Sequence, residues 1–136
     1  MRGAILLLAL MTTSCFETEV NQYPNLKDAV SDGAVQRGWV PDILPRSAKS
    51  ISEKHDFATN EIWARFEFDV VDRTRFIEML ERVNVGSLKC IRPPSVEWWP
   101  DEFSSDFSIY RTRSGRAIYF AVSHRSGEAF YWSCAR

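Results

Sequence analysis

Residue types able to do chemistry are sparse in this chain of 136 residues: two histidines, three cysteines and a scatter of carboxylates. His55 sits in the run Glu53-Lys54-His55-Asp56, and His124 stands beside Arg125. Zinc takes three or four converging ligands, and no Cys or His pair here has ligand spacing, so no metal site is expected. His55 with Asp56 or Glu61 has the composition of a general base and its acid partner, the set a small hydrolase would use. The sequence supplies no nucleophile elbow of the GxSxG type to go with them. Glu61 and Glu67 share a parity, but six residues of strand are roughly 20 Å, beyond the separations that glycosidases use. Glycine-rich phosphate loops are absent as well. No catalytic residue and no cofactor is assigned. The expected class is a binding module, with a His55 hydrolase as the alternative.

The cysteines say more about compartment than about catalysis. Residues 1–14 hold one basic residue, Arg2, and an eight-residue apolar run, Ala4–Met11. Such a run rises only about 12 Å as a helix, far short of the roughly 20 residues needed to span a bilayer. A basic start, a short apolar run and small residues behind it read as an export signal. Thr13-Ser14-Cys15 resembles the end of a bacterial lipoprotein signal, in which the Cys becomes the lipid-modified first residue. Thr12 departs from that pattern, since an aliphatic residue is usual three places before the Cys. Two cysteines then remain, Cys90 and Cys134, an even number in an oxidising compartment, and a disulfide between them is expected. The divisions follow: 1–14 signal peptide, 15–24 tether from a lipid on Cys15, 25–136 a single domain. The protein is expected outside the cytoplasm, held on a membrane and facing the periplasm or exterior. Losing residues 1–14 leaves 16 basic against 18 acidic side chains. That balance argues against nucleic acid as a partner.

The elements that must carry these residues centre on Glu61–Asn84. Ile62, Ala64, Phe66 and Phe68 alternate with Trp63, Arg65, Glu67 and Asp69, as in an antiparallel strand with one buried face. Phe76, Ile77, Leu80 and Val83 then fall on one helical stripe. Asp72 is the expected N-cap, Glu78 with Arg82 an i,i+4 ion pair, and Asn84 with Gly86 the stop. A short helix is expected near Asn25–Arg37, a proline-bound strap over Trp39–Leu44, and an edge strand over Ala48–His55. Asp106–Arg113, Ala117–Ser123 and Ala129–Cys134 read as a meander with hairpin turns. The expected fold is α+β: about five antiparallel strands with one main helix packed on one face.

The segment Gly38–Phe68 resembles one in uncharacterised small bacterial exported proteins and lipoproteins. Gly38-Trp39, Pro41, Leu44-Pro45, Ser47-Ala48, Ile51, His55-Asp56, Thr59-Asn60, Trp63 and Phe66 carry the likeness. It implies an exported location and this fold, and brings no established activity or cofactor.

Two surfaces qualify as working faces. With the helix over Ile62 and Phe66, the opposite face would present Trp63, Arg65 and Glu67, joined by Tyr119 and Tyr131, with His55 and Asn60 at its margin. Such a face would suit a protein partner in the envelope; a cover of the Trp39 strap or of Trp98-Trp99 would instead make it core. Charge marks the second. Residues 97–106 carry four acids and no base, whereas 107–136 carry five arginines and one Glu. Either the acidic loop lies against the basic meander, or Arg111, Arg113 and Arg116 meet an anionic surface such as lipid headgroups.

Overall fold

The computed structural model describes residues 18–84, 86, 88 and 92–135. It is one seven-stranded sheet with two six-residue helices, not five strands and a main helix. The strands are β1 (Thr18–Asn25), β2 (Lys49–Asp56), β3 (Ile62–Glu67), β4 (Leu80–Arg82), β5 (Phe107–Thr112), β6 (Ile118–Ser123) and β7 (Glu128–Ser133). They lie in the order β1-β2-β3-β7-β6-β5-β4, and every neighbouring pair is antiparallel. The helices are α1 (Leu26–Ser31) and α2 (Arg73–Glu78).

Two misread stretches account for the extra strands. Thr18–Tyr23, expected in a tether, belongs to β1, which hydrogen-bonds along the edge of β2. Only Tyr23 of its eight residues is buried, so an edge strand of this kind has no period of two to read. Leu80–Arg82, expected to continue the helix, turns out as a strand paired to β5. Leu80 reaches the core equally well from either conformation. Continuing the helix would leave the backbone groups of β5 unpaired along that edge, and three residues of strand satisfy them. The expected Glu78–Arg82 pair is replaced across the strands by Glu81 and Arg111, 3.0 Å apart. Asp72 does not cap α2 with its side chain; its carboxylate accepts from Ser47 Oγ at 2.5 Å instead.

Both faces of the sheet are covered. On one side Ile62, Ala64, Phe66, Phe120, Val122 and Tyr131 pack beneath α1, the strap of residues 34–48 and Phe76 of α2. Phe76 meets Phe66, Phe68 and Phe120 at ring centroids of 5.4–6.2 Å. On the other side Trp63, Ile109, Ala121, Phe130 and Trp132 pack beneath Trp98, Trp99 and Phe103 of the connection between β4 and β5. Phe103 stacks on Trp132 at 5.6 Å, and Trp99 meets the edges of Phe130 and Trp132. Trp98, Trp99 and Phe103 are therefore a lid of aromatic rings, which holds this part of the connection on the sheet by burial.

Antiparallel pairing also gives the sheet two distinct ends. Register places Thr18 beside Asp56, His55 beside Ile62, and Ile62 and Ile118 beside Ser133. One end thus gathers Thr18, the turn of residues 57–61, the hairpin of residues 113–117 and Ser133. The other gathers Asn25, Lys49, Glu67 and the turn of residues 124–127.

Candidate functional site

The covered faces dispose of the expected aromatic face. Trp63 is 3% exposed, and its Nε1 donates to the Arg92 carbonyl at 2.9 Å. Tyr119 does share that face, stacked on Trp132 at 5.7 Å beneath the lid. Tyr131 does not: register sets it opposite Ala64, so it points to the other side, and its hydroxyl donates to the Trp39 carbonyl. Arg65 is half-buried and ion-paired with Glu128 at 2.9 Å. Glu67 is half-buried at the far end, opposite Glu128. Of the seven expected binding residues, Trp63 and Tyr119 share the face beneath the lid, and His55 and Asn60 gather at the end of the sheet that carries Thr18.

Three polar constructions meet at that end. The first is a column of flat groups. The Arg37 guanidinium lies 4.1 Å above the Trp39 ring, and Trp39 stacks on His55 at 3.7 Å with 12° between planes. Phe57 closes the column edge-on, 4.6 Å from His55. Beneath it His55 Nδ1 and Glu53 Oε1 are 2.7 Å apart, both side chains sealed from water, while Asn21 donates to Glu53 Oε2. His55 Nε2 is buried and meets no hydrogen-bond partner. Burial, before any neighbouring charge, pushes the Glu53 carboxyl up to about 8 and His55 below its ordinary value. In a dry site the favoured state has no net charge, with one proton held on the short bond between the two.

The second construction is the turn from β2 to β3. Asp56 Oδ1 accepts from the backbone amides of Ala58 and Thr59, and these bonds hold its carboxyl below the usual range. Asn60 takes a left-handed φ of 64°, which its short amide side chain tolerates. Glu61 accepts from the Thr59 hydroxyl and pairs with Arg92 at 3.2 Å. His55 therefore hydrogen-bonds Glu53 rather than Asp56 or Glu61, both of which are engaged elsewhere.

The third is an open cleft of about 850 Å3 between the strap and the β5–β6 hairpin. Arg37 and Asp42 stand on the strap side, Arg113 and Arg116 on the hairpin side, with Asn60 between and Val35, Ile43 and Ile118 as apolar floor. Arg113 donates to the Glu78 carbonyl, and Arg116 to the Asn60 carbonyl and to Ser133 Oγ. The acidic loop does not face these arginines, because it lies across the opposite side of the sheet. Asp106 with Arg125 is the ion pair the described residues show between the two regions.

A second histidine contact lies elsewhere. Ser108 Oγ is 2.9 Å from His124 Nε2 and accepts from Arg82 at 3.3 Å. Asp106, the nearby acid, pairs with Arg125 and leaves the imidazole without an orienting carboxylate. No group of three or more His, Cys, Asp or Glu among the described residues converges to hold a metal ion. Cys134 is disulfide-bonded; Cys15 and Cys90 lie outside the described residues. Sequence reasoning missed Glu53, Trp39, Arg37 and Arg92. Glu53-x-His55 on a strand was the available signal, since residues two apart point to the same side.

Residues 17–67 match the family model of the YbbD head domain. All of the stretch Gly38–Phe68 but its last residue falls within that span, which therefore includes the Trp39–His55 column and the Asn60 turn. No curated protein and no solved structure matches the chain.

Proposed function

We propose that the protein is an exported, lipid-anchored binding module of the bacterial cell envelope, working through the end of the sheet that carries Asn60, Arg113 and Arg116. The observation behind this reading is that both sheet faces are sealed by aromatic packing, while an arginine-walled cleft stays open at one end. Gly38, Pro41 and Asn60, part of the Gly38–Phe68 segment resembling small bacterial exported proteins, line it. The column and the turn beneath are hydrogen-bonded frameworks, which suits rigid presentation of a surface better than proton transfer. On this reading Cys15 is the lipidated first residue of the mature chain. Cys15→Ser is expected to move the protein from the membrane fraction to the soluble fraction of cell extracts washed at high salt, which screens headgroup attraction but leaves a lipid anchor in place. Unchanged sedimentation with salt-washed membranes would rule the anchor out.

The partner of Cys134 on this reading is Cys90. Trp63 Nε1 on the Arg92 carbonyl brings the chain two residues beyond Cys90 to the start of β3, where Ser133 also lies. Closing a 45-residue loop adds about 3–4 kcal/mol on the chain-entropy model. Thiol titration of the unfolded, unreduced mature protein is expected to find no free thiol, Cys15 being blocked by lipid. Two free thiols per chain would refute the bond.

A further inference from the structure

We propose that the end of the sheet holding the 57–61 turn and the 113–117 hairpin docks on a surface of anionic phospholipid headgroups. The inference rests on the lipid anchor at Cys15, and the argument for it is one of chain length. From Cys15 to Thr18 is three peptide steps, at most about 11 Å even when extended. Thr18 opens β1 opposite Asp56. A lipid on Cys15 therefore brings this end of the sheet, and not the far one, to the headgroup layer.

The residues displayed there suit that layer. Phe57 is 55% exposed at the tip of the turn, an aromatic ring left in water beside the Trp39 column. Arg113 sits exposed on the hairpin with no carboxylate paired to it among the described residues, and it donates to the Glu78 carbonyl. Arg37, Arg92 and Arg111 at the same end are each balanced by an acid: Asp32, Glu61 and Glu81. Arg113 is thus, among the described residues, a cation offered outward, while Phe57 supplies apolar area for the acyl boundary. Exposed apolar surface alone would favour the other end, where Val71 is 83% exposed. The tether decides between them.

Vesicle co-sedimentation with the unlipidated Cys15→Ser protein tests the surface without using the anchor. Binding is expected to vesicles of phosphatidylglycerol with phosphatidylcholine, to weaken with salt, and to be lost on phosphatidylcholine alone. Arg113→Ala is expected to lower it about fivefold and Phe57→Ser about tenfold or more, with folding unchanged by circular dichroism. Val71→Ser should have no effect. Failure to bind anionic vesicles overturns the proposal, as does a loss on Val71→Ser or indifference to Phe57→Ser and Arg113→Ala. Full displacement by free glycerol phosphate also overturns it, because the ligand would then be a soluble phosphate. The anchor stands or falls separately, on the fractionation of Cys15→Ser cells.

Discussion

Trp63→Ala is expected to destabilise the domain by about 3–5 kcal/mol, the range for removing a large buried aromatic side chain. The indole is 3% exposed beneath the lid, and its removal also leaves the Arg92 carbonyl without its donor. For a domain of this size the melting temperature is expected to fall by roughly 10–20 °C. Thermal melts followed by near-ultraviolet circular dichroism measure it. A change within a degree or two would mean that the lid does not pack on this face and that Trp63 is available as a contact surface.

The second large effect is on pH dependence, through Glu53 and His55. Glu53 is raised from 4.5 to about 8, so its contribution to stability is complete below 4.5 and is lost as pH rises through 8. His55 is lowered from 6.5, so its contribution is present above 6.5 and is lost as pH falls. Below 6.5 the His55 slope opposes that of Glu53. From 6.5 to 8 the Glu53 slope acts alone and removes on the order of 2 kcal/mol. Glu53→Gln keeps a donor for His55 Nδ1 and has no proton to lose, so urea melts should show that decline flattened. An unaltered decline in the Glu53→Gln protein would place the titration on another group.

What the sequence made legible followed burial on one face. β3, β5, β6 and β7 were readable because each repeats apolar residues at strand spacing between turn residues. The expected order was short helix, two strands, helix, long loop and three-strand meander, and it lacked β1 and β4. β1 was not readable, because an edge strand exposes nearly everything and Tyr23 alone marks its inner side. β4 was hidden because Leu80 fits a helical stripe as well as a strand, and only the open edge of β5 decides between them. The second face was left open between a wet surface and a cover by Trp98-Trp99, and the cover is what forms. Trp63 and Tyr119 alternate away from their apolar neighbours as solvent-facing residues do, yet a lid of tryptophans distant in sequence covers them. Period reports which residues share a side, and only the remote segment settles whether that side is wet.

The candidate site was legible in part for the same reason. His55 and Asn60 lie where the working surface forms, but Glu53 became visible only once parity along β2 was joined to burial. Arg37 and Arg113 come together across more than 70 residues, through the strap and the hairpin meeting at one cleft. No local pattern carries that.

Hydrogen–deuterium exchange of the purified full-length protein, in anionic vesicles against detergent, tests the central claim most directly. The account predicts that amides of residues 56–61 and 112–118 gain protection in vesicles, while residues 124–127 and 68–72 at the far end exchange as in detergent. Protection confined to the far end, or equal exchange in both media, would contradict it.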